Sequence, residues 1–195
     1  MIDDPFMWAW LPLVPLVVHP ERTRWSLGAQ DLLFRNAISR WFFSAGQVVP
    51  VFRAPGSFPT IAVKTAMQRL AENCWIHLFS EGHIYQNHND APVLPLKPGA
   101  AFLIAKHYES TGNAPIVIPM LLCAFQQFLP AHKIIPRFLS ARTKLIISSP
   151  ANSGITATFL RSLDRLNQRE RIARISCELD RSVARIYARA MCETY

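Results

Sequence analysis

Glu81 holds the position in this 195-residue chain best suited to chemistry. It follows the apolar run of Trp75-Ile76-His77-Leu78-Phe79-Ser80-Glu81-Gly82, which ends abruptly on a carboxylate and a glycine. A short apolar run bounded by polar residues reads as a core strand, here 74–79, in a sheet covered on both faces. Ligands of open α/β sheets gather at the carboxyl ends of strands. A carboxylate at that place is positioned to work on a ligand. A solvated glutamate at a strand end would give the same pattern.

The other chemistry-bearing residues are scattered. Arg53 stands at the end of a second expected strand, 47–53. His83, His88 and Asp90 lie in a polar, proline-punctuated loop, 83–95, which reads as a substrate-facing or lid segment. Its two histidines have no third ligand at useful spacing, so no metal site is expected. Cys74, Cys123, Cys177 and Cys192 form no C-x-x-C pair and no cluster with histidine, and read as reduced, structural thiols.

The elements that must position these residues alternate in type. A helical pattern starts near Ser26, a possible N-cap, and carries Leu32, Leu33, Ala37, Ile38, Trp41 and Phe42 to a stop at Gly46. The strand 47–53 has Pro50 as a blemish. A second helix runs from Thr60 through Asn73, with Ile61, Met67 and Leu70 inward. A third starts at Pro98 and reaches about Tyr108. Residues 115–120 and 144–148 read as further buried strands. This alternation predicts an α/β fold, a mixed central sheet flanked by helices.

After Pro150 the composition changes. Residues 161–189 carry eight arginines and four acids, and Ile175, Leu179, Val183 and Ile186 fall on one helical face. A basic amphipathic carboxy-terminal helix is expected there, able to dock on the domain, lie on an anionic membrane or pair with another helix. The expected division is therefore 1–150 and a helical tail, 151–195.

The formal net charge of +8 favours an anionic partner. Nothing in the sequence resembles a nucleic-acid-binding motif, so nucleic acid is not the expected partner. Residues 5–18 and 115–130 are apolar but too short, and too interrupted by proline, to span a bilayer. Trp8 and Trp10 would suit a membrane interface, and would equally suit a core. No secretory signal is visible.

Several blocks together resemble the glycerophospholipid acyltransferase family, in its tafazzin form and among fungal members in particular. Ile2-Asp3-Asp4-Pro5 with Trp8 is similar to the end of the first motif, His-x4-Asp. Arg24-Trp25-Ser26-Leu27-Gly28-Ala29 and Phe42-Phe43-Ser44-Ala45-Gly46-Gln47-Val48 resemble the segment leading to the second, with Arg53 at its arginine. The stretch ending Phe79-Ser80-Glu81-Gly82 is similar to the third motif. Pro115-Ile116-Val117-Ile118-Pro119 looks like the fourth, and Leu129-Pro130 and Pro136-Arg137-Phe138 keep the spacing. The resemblance covers roughly residues 2–150.

The resemblance implies acyl transfer between phospholipid and lysophospholipid, the remodelling of cardiolipin, with no coenzyme A or other cofactor. A histidine would be general base and Asp3 would orient it. Arg53, Phe79, Ser80, Glu81 and Gly82 would hold the phosphate and glycerol. The setting implied is a mitochondrial membrane, outer or inner, facing the intermembrane space, with the protein peripheral and monotopic at the lipid surface. The oligomeric state is not implied.

The chain departs from the pattern at definite places. The motif histidine would lie five residues before Asp3, upstream of Met1, and none of the six histidines present has an aspartate at that spacing. The reading is of an amino-terminally shortened member, with little or no turnover expected of these 195 residues. Ser80 stands at a motif proline. Ala124, Leu139 and Pro98 also differ from the usual residues. An acyl-coenzyme-A-dependent lysophosphatidate acyltransferase shares the same motifs, and a non-catalytic lipid-binding remnant at the membrane surface would keep them too.

Overall fold

The computed structural model describes residues 18, 24–52, 60–81, 95–123 and 144–192. The described residues gather in two compact units. One comprises 24–52, 60–79 and Glu109–Thr111; the other comprises 80–81, 95–108, 112–123 and 144–192.

In the first unit, Trp25–Ala29 forms strand β1 rather than the start of a helix. It pairs in parallel with β2, Val48–Val51, from Ser26↔Val48 to Ala29↔Val51. On its other side it pairs in parallel with β3, Ile76–His77, through Trp25↔Ile76 and Ser26↔His77. Ladder bonds on both sides outweigh the weak helical preference of five residues, and Ser26 is buried instead of capping. Pro50 is tolerated because the order β2-β1-β3 puts its strand at an edge, where a missing N–H costs no ladder bond. It faces Gly28, where a Cβ would press into the side chains of Leu33 and Val48.

The helical pattern expected from Ser26 divides in two: α1, Gln30–Leu33, and α2, Ala37–Ala45. Asn36 forces the restart. Its Oδ1 accepts the Ser39 N–H at 2.8 Å, and the Ser39 hydroxyl accepts the Asn36 N–H at 3.2 Å, a reciprocal capping box. Gly46 ends α2 as the sequence reading expected.

Helix α3, Thr60–Ala71, lies against this sheet through Ala62 and Ala66. Ile61, expected on the inner face, is exposed. Two alanines four apart admit a close approach to the strands, and the isoleucine next to them is rotated away. Arg69 of α3 stacks its guanidinium 4.2 Å from the centre of the Trp25 ring and pairs with Glu72 at 2.6 Å.

The apolar run 74–79 is a correction to the sequence reading. Only Ile76–His77 pair, at the sheet's edge among the described residues, and Trp75 and Phe79 are exposed. The run is neither long nor covered on both faces.

The second unit is built on helices. Helix α4, Gly99–Thr111, has Pro98 at its N-cap and stops at Gly112, which takes the left-handed conformation (φ 72°) that glycine adopts without strain. Strand β4 is Met120–Cys123, starting at the last residue of the expected 115–120. Pro115 and Pro119 have no N–H to donate, so pairing begins only after them. It runs antiparallel to β5, Lys144–Ile147, within the expected 144–148. The class is therefore mixed α/β, with the described strands in two separate sheets.

After β5 come a 3-10 turn, Pro150–Ser153, then α5, Ala157–Ser162, and α6, Gln168–Cys192. Thr156 caps α5 by accepting the Phe159 N–H at 3.1 Å. Asn167 caps α6, accepting the Glu170 N–H at 2.9 Å. Ile175, Leu179 and Ile186 of α6 are buried as their spacing predicted. Ile175 and Leu179 join Ala101, Ile104, Ala105, Ile155, Leu160 and Leu163 in one core. The apolar face of the basic helix is thus spent on its own unit.

Ile175 is fully enclosed there. Ile175→Ala is expected to lower unfolding stability by about 2–5 kcal/mol, because the removed methyls leave a cavity that close-packed neighbours fill only in part. Chemical denaturation of the two proteins measures the difference.

Candidate functional site

The three parallel strands of the first unit run the same way, so the residues following each leave the sheet at one edge. Beyond β3 the chain passes Leu78 and reaches Phe79 two residues later. The Trp25 N–H donates to the Trp75 carbonyl at 2.9 Å, which fixes the chain just ahead of β3. The half-buried His77 meets Phe79 edge to face, with ring centroids 4.6 Å apart. It is a packing partner of the motif phenylalanine.

Ser80 and Glu81 open the second unit. The Ser80 carbonyl accepts the Lys97 N–H at 2.7 Å. Next to it, the Leu96 N–H donates to Asp180 Oδ1 at 2.8 Å. Two consecutive amides just before α4 therefore hold the glutamate-bearing turn on one side and α6 on the other. Sequence reasoning missed this clasp. The available signal was Asp180, an acid beside the buried Leu179 on an otherwise arginine-rich helix.

Glu81 itself is half-buried. Burial pushes its carboxyl above the usual carboxylate range, and no cation among the described residues offsets that. A carboxyl in this state is a strong acceptor for a hydroxyl that replaces lost water. Phe79, Ser80 and Glu81 are thus consecutive in the chain just after β3, with an exposed aromatic ring, an engaged carbonyl and a desolvated carboxyl. Asp3, Arg53 and Gly82 lie outside the described residues, as does nearly all of the loop 83–95. The sequence places Arg53 two residues beyond β2.

Other chemistries find little here. No group of three or more metal-ligating side chains occurs among the described residues. All four cysteines are free thiols, and burial pushes the Cys123 thiol up, with Lys144 opposing in part. No described helix is long and apolar enough to cross a membrane.

A family model described as Acyltransferase matches residues 1–122. The chain is 38% identical over 132 residues to an N-acylphosphatidylethanolamine synthase of Arabidopsis thaliana, covering 67% of this chain and 43% of that protein. It is 34% identical over 137 residues to a taffazin of Dictyostelium discoideum, covering 70% and 46%. A Drosophila melanogaster tafazzin is 35% identical over 128 residues, covering 66% and 32%. The chain thus spans half or less of the length of these relatives. No solved structure matches it.

Proposed function

This chain belongs to the acyltransferase family, and from that premise we propose that it serves a tafazzin-type transacylase, moving acyl chains between phospholipid and lysophospholipid to remodel cardiolipin. The observation that carries the reading is Glu81, a carboxyl desolvated by burial four residues after β3 in the chain, within the matched residues. A second support is similarity to tafazzins from two organisms at 34% and 35% identity.

In this reaction a histidine five residues ahead of Asp3 takes the proton of the lysolipid hydroxyl. Asp3 holds the ring and stabilises the imidazolium. The freed oxygen attacks the donor's ester carbonyl, a tetrahedral intermediate forms, and the donor's glycerol oxygen leaves with the proton returned by the imidazolium. One ester bond forms and one breaks, so no cofactor is consumed. Arg53 binds the phosphate, since its planar fork matches two phosphate oxygens. Glu81 accepts hydrogen bonds from lipid hydroxyls, while Phe79, Ser80 and Gly82 frame the glycerol. The working place is the lipid surface of a mitochondrial membrane facing the intermembrane space, with the protein peripheral. Residues 1–195 hold no histidine at the required spacing.

The test follows a labelled acyl chain from phosphatidylcholine to monolysocardiolipin, using the gene's full product without any thioester. Transfer is expected. A strict demand for acyl-coenzyme A would overturn the reading in favour of a lysophosphatidate acyltransferase. The Arabidopsis relative's name favours one second reading, in which the acceptor is the amine of phosphatidylethanolamine. An amide-linked product in the same assay would establish it.

A further inference from the structure

We propose that α2 is the membrane-docking element of this chain, seating Ile38, Trp41 and Phe42 in the headgroup boundary of an anionic bilayer. These three side chains are 81%, 72% and 58% exposed. Their spacing of three and four residues puts them on one face of the helix. A contiguous apolar face of this kind is uncommon on a protein that meets only water. The sequence pattern placed the same residues at helical spacing.

The helix is held without help from that face. Its N-terminus is closed by the Asn36–Ser39 capping box, and its C-terminus by the Gly46 N–H bonding the Phe42 carbonyl at 3.0 Å. Phe43, half-buried, packs against Phe34 at 6.1 Å between centroids and meets Phe42 edge-on at 5.3 Å. The underside is thus anchored while the outer rings project.

The charge around the face selects the occupant. No acid occurs between residues 35 and 48, and the exposed Arg35 and Arg40 flank the apolar residues. Tryptophan favours the headgroup level, and each arginine near an anionic surface strengthens attachment several-fold. The more obvious basic element, α6, has Ile175, Leu179 and Ile186 buried in the protein and keeps no apolar face for lipid. The inference rests on the membrane reading above for its occupant and is independent of acyl transfer.

Co-sedimentation of residues 1–195 with phosphatidylcholine vesicles containing about one-fifth cardiolipin tests it. The triple variant Ile38→Ser, Trp41→Ser, Phe42→Ser is expected to keep its circular dichroism and melting curve, since all three side chains are exposed. Its vesicle affinity is expected to fall about a hundredfold. Arg35→Gln with Arg40→Gln is expected to cost about tenfold and to flatten the salt dependence. Exchange on short-chain monomeric lipids, assayed in the gene's full product, is expected to be unchanged by the triple substitution, so docking and acyl transfer fail separately.

Unchanged vesicle affinity in the triple variant would overturn the proposal. So would a parent dimer, seen by sedimentation velocity, that the triple variant dissociates without losing vesicle binding; a second copy would then own the face. If the triple variant does not fold, the arginine pair decides, and undiminished binding there overturns the proposal.

Discussion

Replacing Glu81 with glutamine is expected to cut acyl exchange by about a hundredfold or more, while leaving the fold at pH 7 as stable as before or more so. The loss follows from the role given to the carboxylate. A pre-placed charged acceptor for a reacting lipid's hydroxyl is of the class of electrostatic contact whose removal costs roughly 10²–10³ in turnover. The gain follows from burial. Glu81's carboxyl is raised above the ordinary carboxylate range, so the folded chain holds that proton more tightly than the unfolded chain. Stability from this group is greatest at acid pH, falls as pH rises from the unfolded pKa through the raised folded pKa, and stays low above it. Glutamine has no ionised form to penalise. Melting midpoints of the two proteins should therefore separate in the variant's favour as pH rises from about 4 to 7. A variant that loses activity and is less stable at pH 7 would make Glu81 a structural residue.

Residues 1–195 by themselves are expected to show no acyl exchange above background, and an upstream extension bearing histidine five residues before Asp3 is expected to restore it by about 10²–10⁴-fold. The size is that of a positioned general base. None of the six histidines present lies five residues ahead of an aspartate. Among them, His77 is engaged with the Phe79 ring. In the extended chain, Asp3→Asn should remove most of the gain, because the imidazolium then loses the charge that stabilises it. The assay is label transfer between lipids by matched amounts of the three proteins. Equal rates with and without the added histidine would sink the His–Asp assignment and leave the Glu81 prediction intact.

Much of the framework was legible where local chemistry is decisive. Gly46 and Pro98 marked helix ends, and the four-residue spacing of Ile175 and Leu179 marked a core face. The strand errors have two causes, pairing with distant residues and the missing donors of proline. Residues 25–29 became a strand because 48–51 and 76–77 lie beside them, which no local window contains. Strand β4 moved past Pro119 through a rule that acts on donors, not on hydrophobicity. At the candidate site, Glu81 was found from its place after an apolar run. Its desolvation was not legible, nor was the amide clasp at Leu96 and Lys97, since both depend on the fold.

The bond from Leu96 to Asp180 joins residues 84 positions apart. A ribosome adding about 5–20 residues per second needs on the order of ten seconds to travel between them. Throughout that interval the nascent chain carries Ala101, Ile104 and Ala105 without Ile175 and Leu179 to cover them. The growing chain therefore presents this part of its core unfinished until α6 is made.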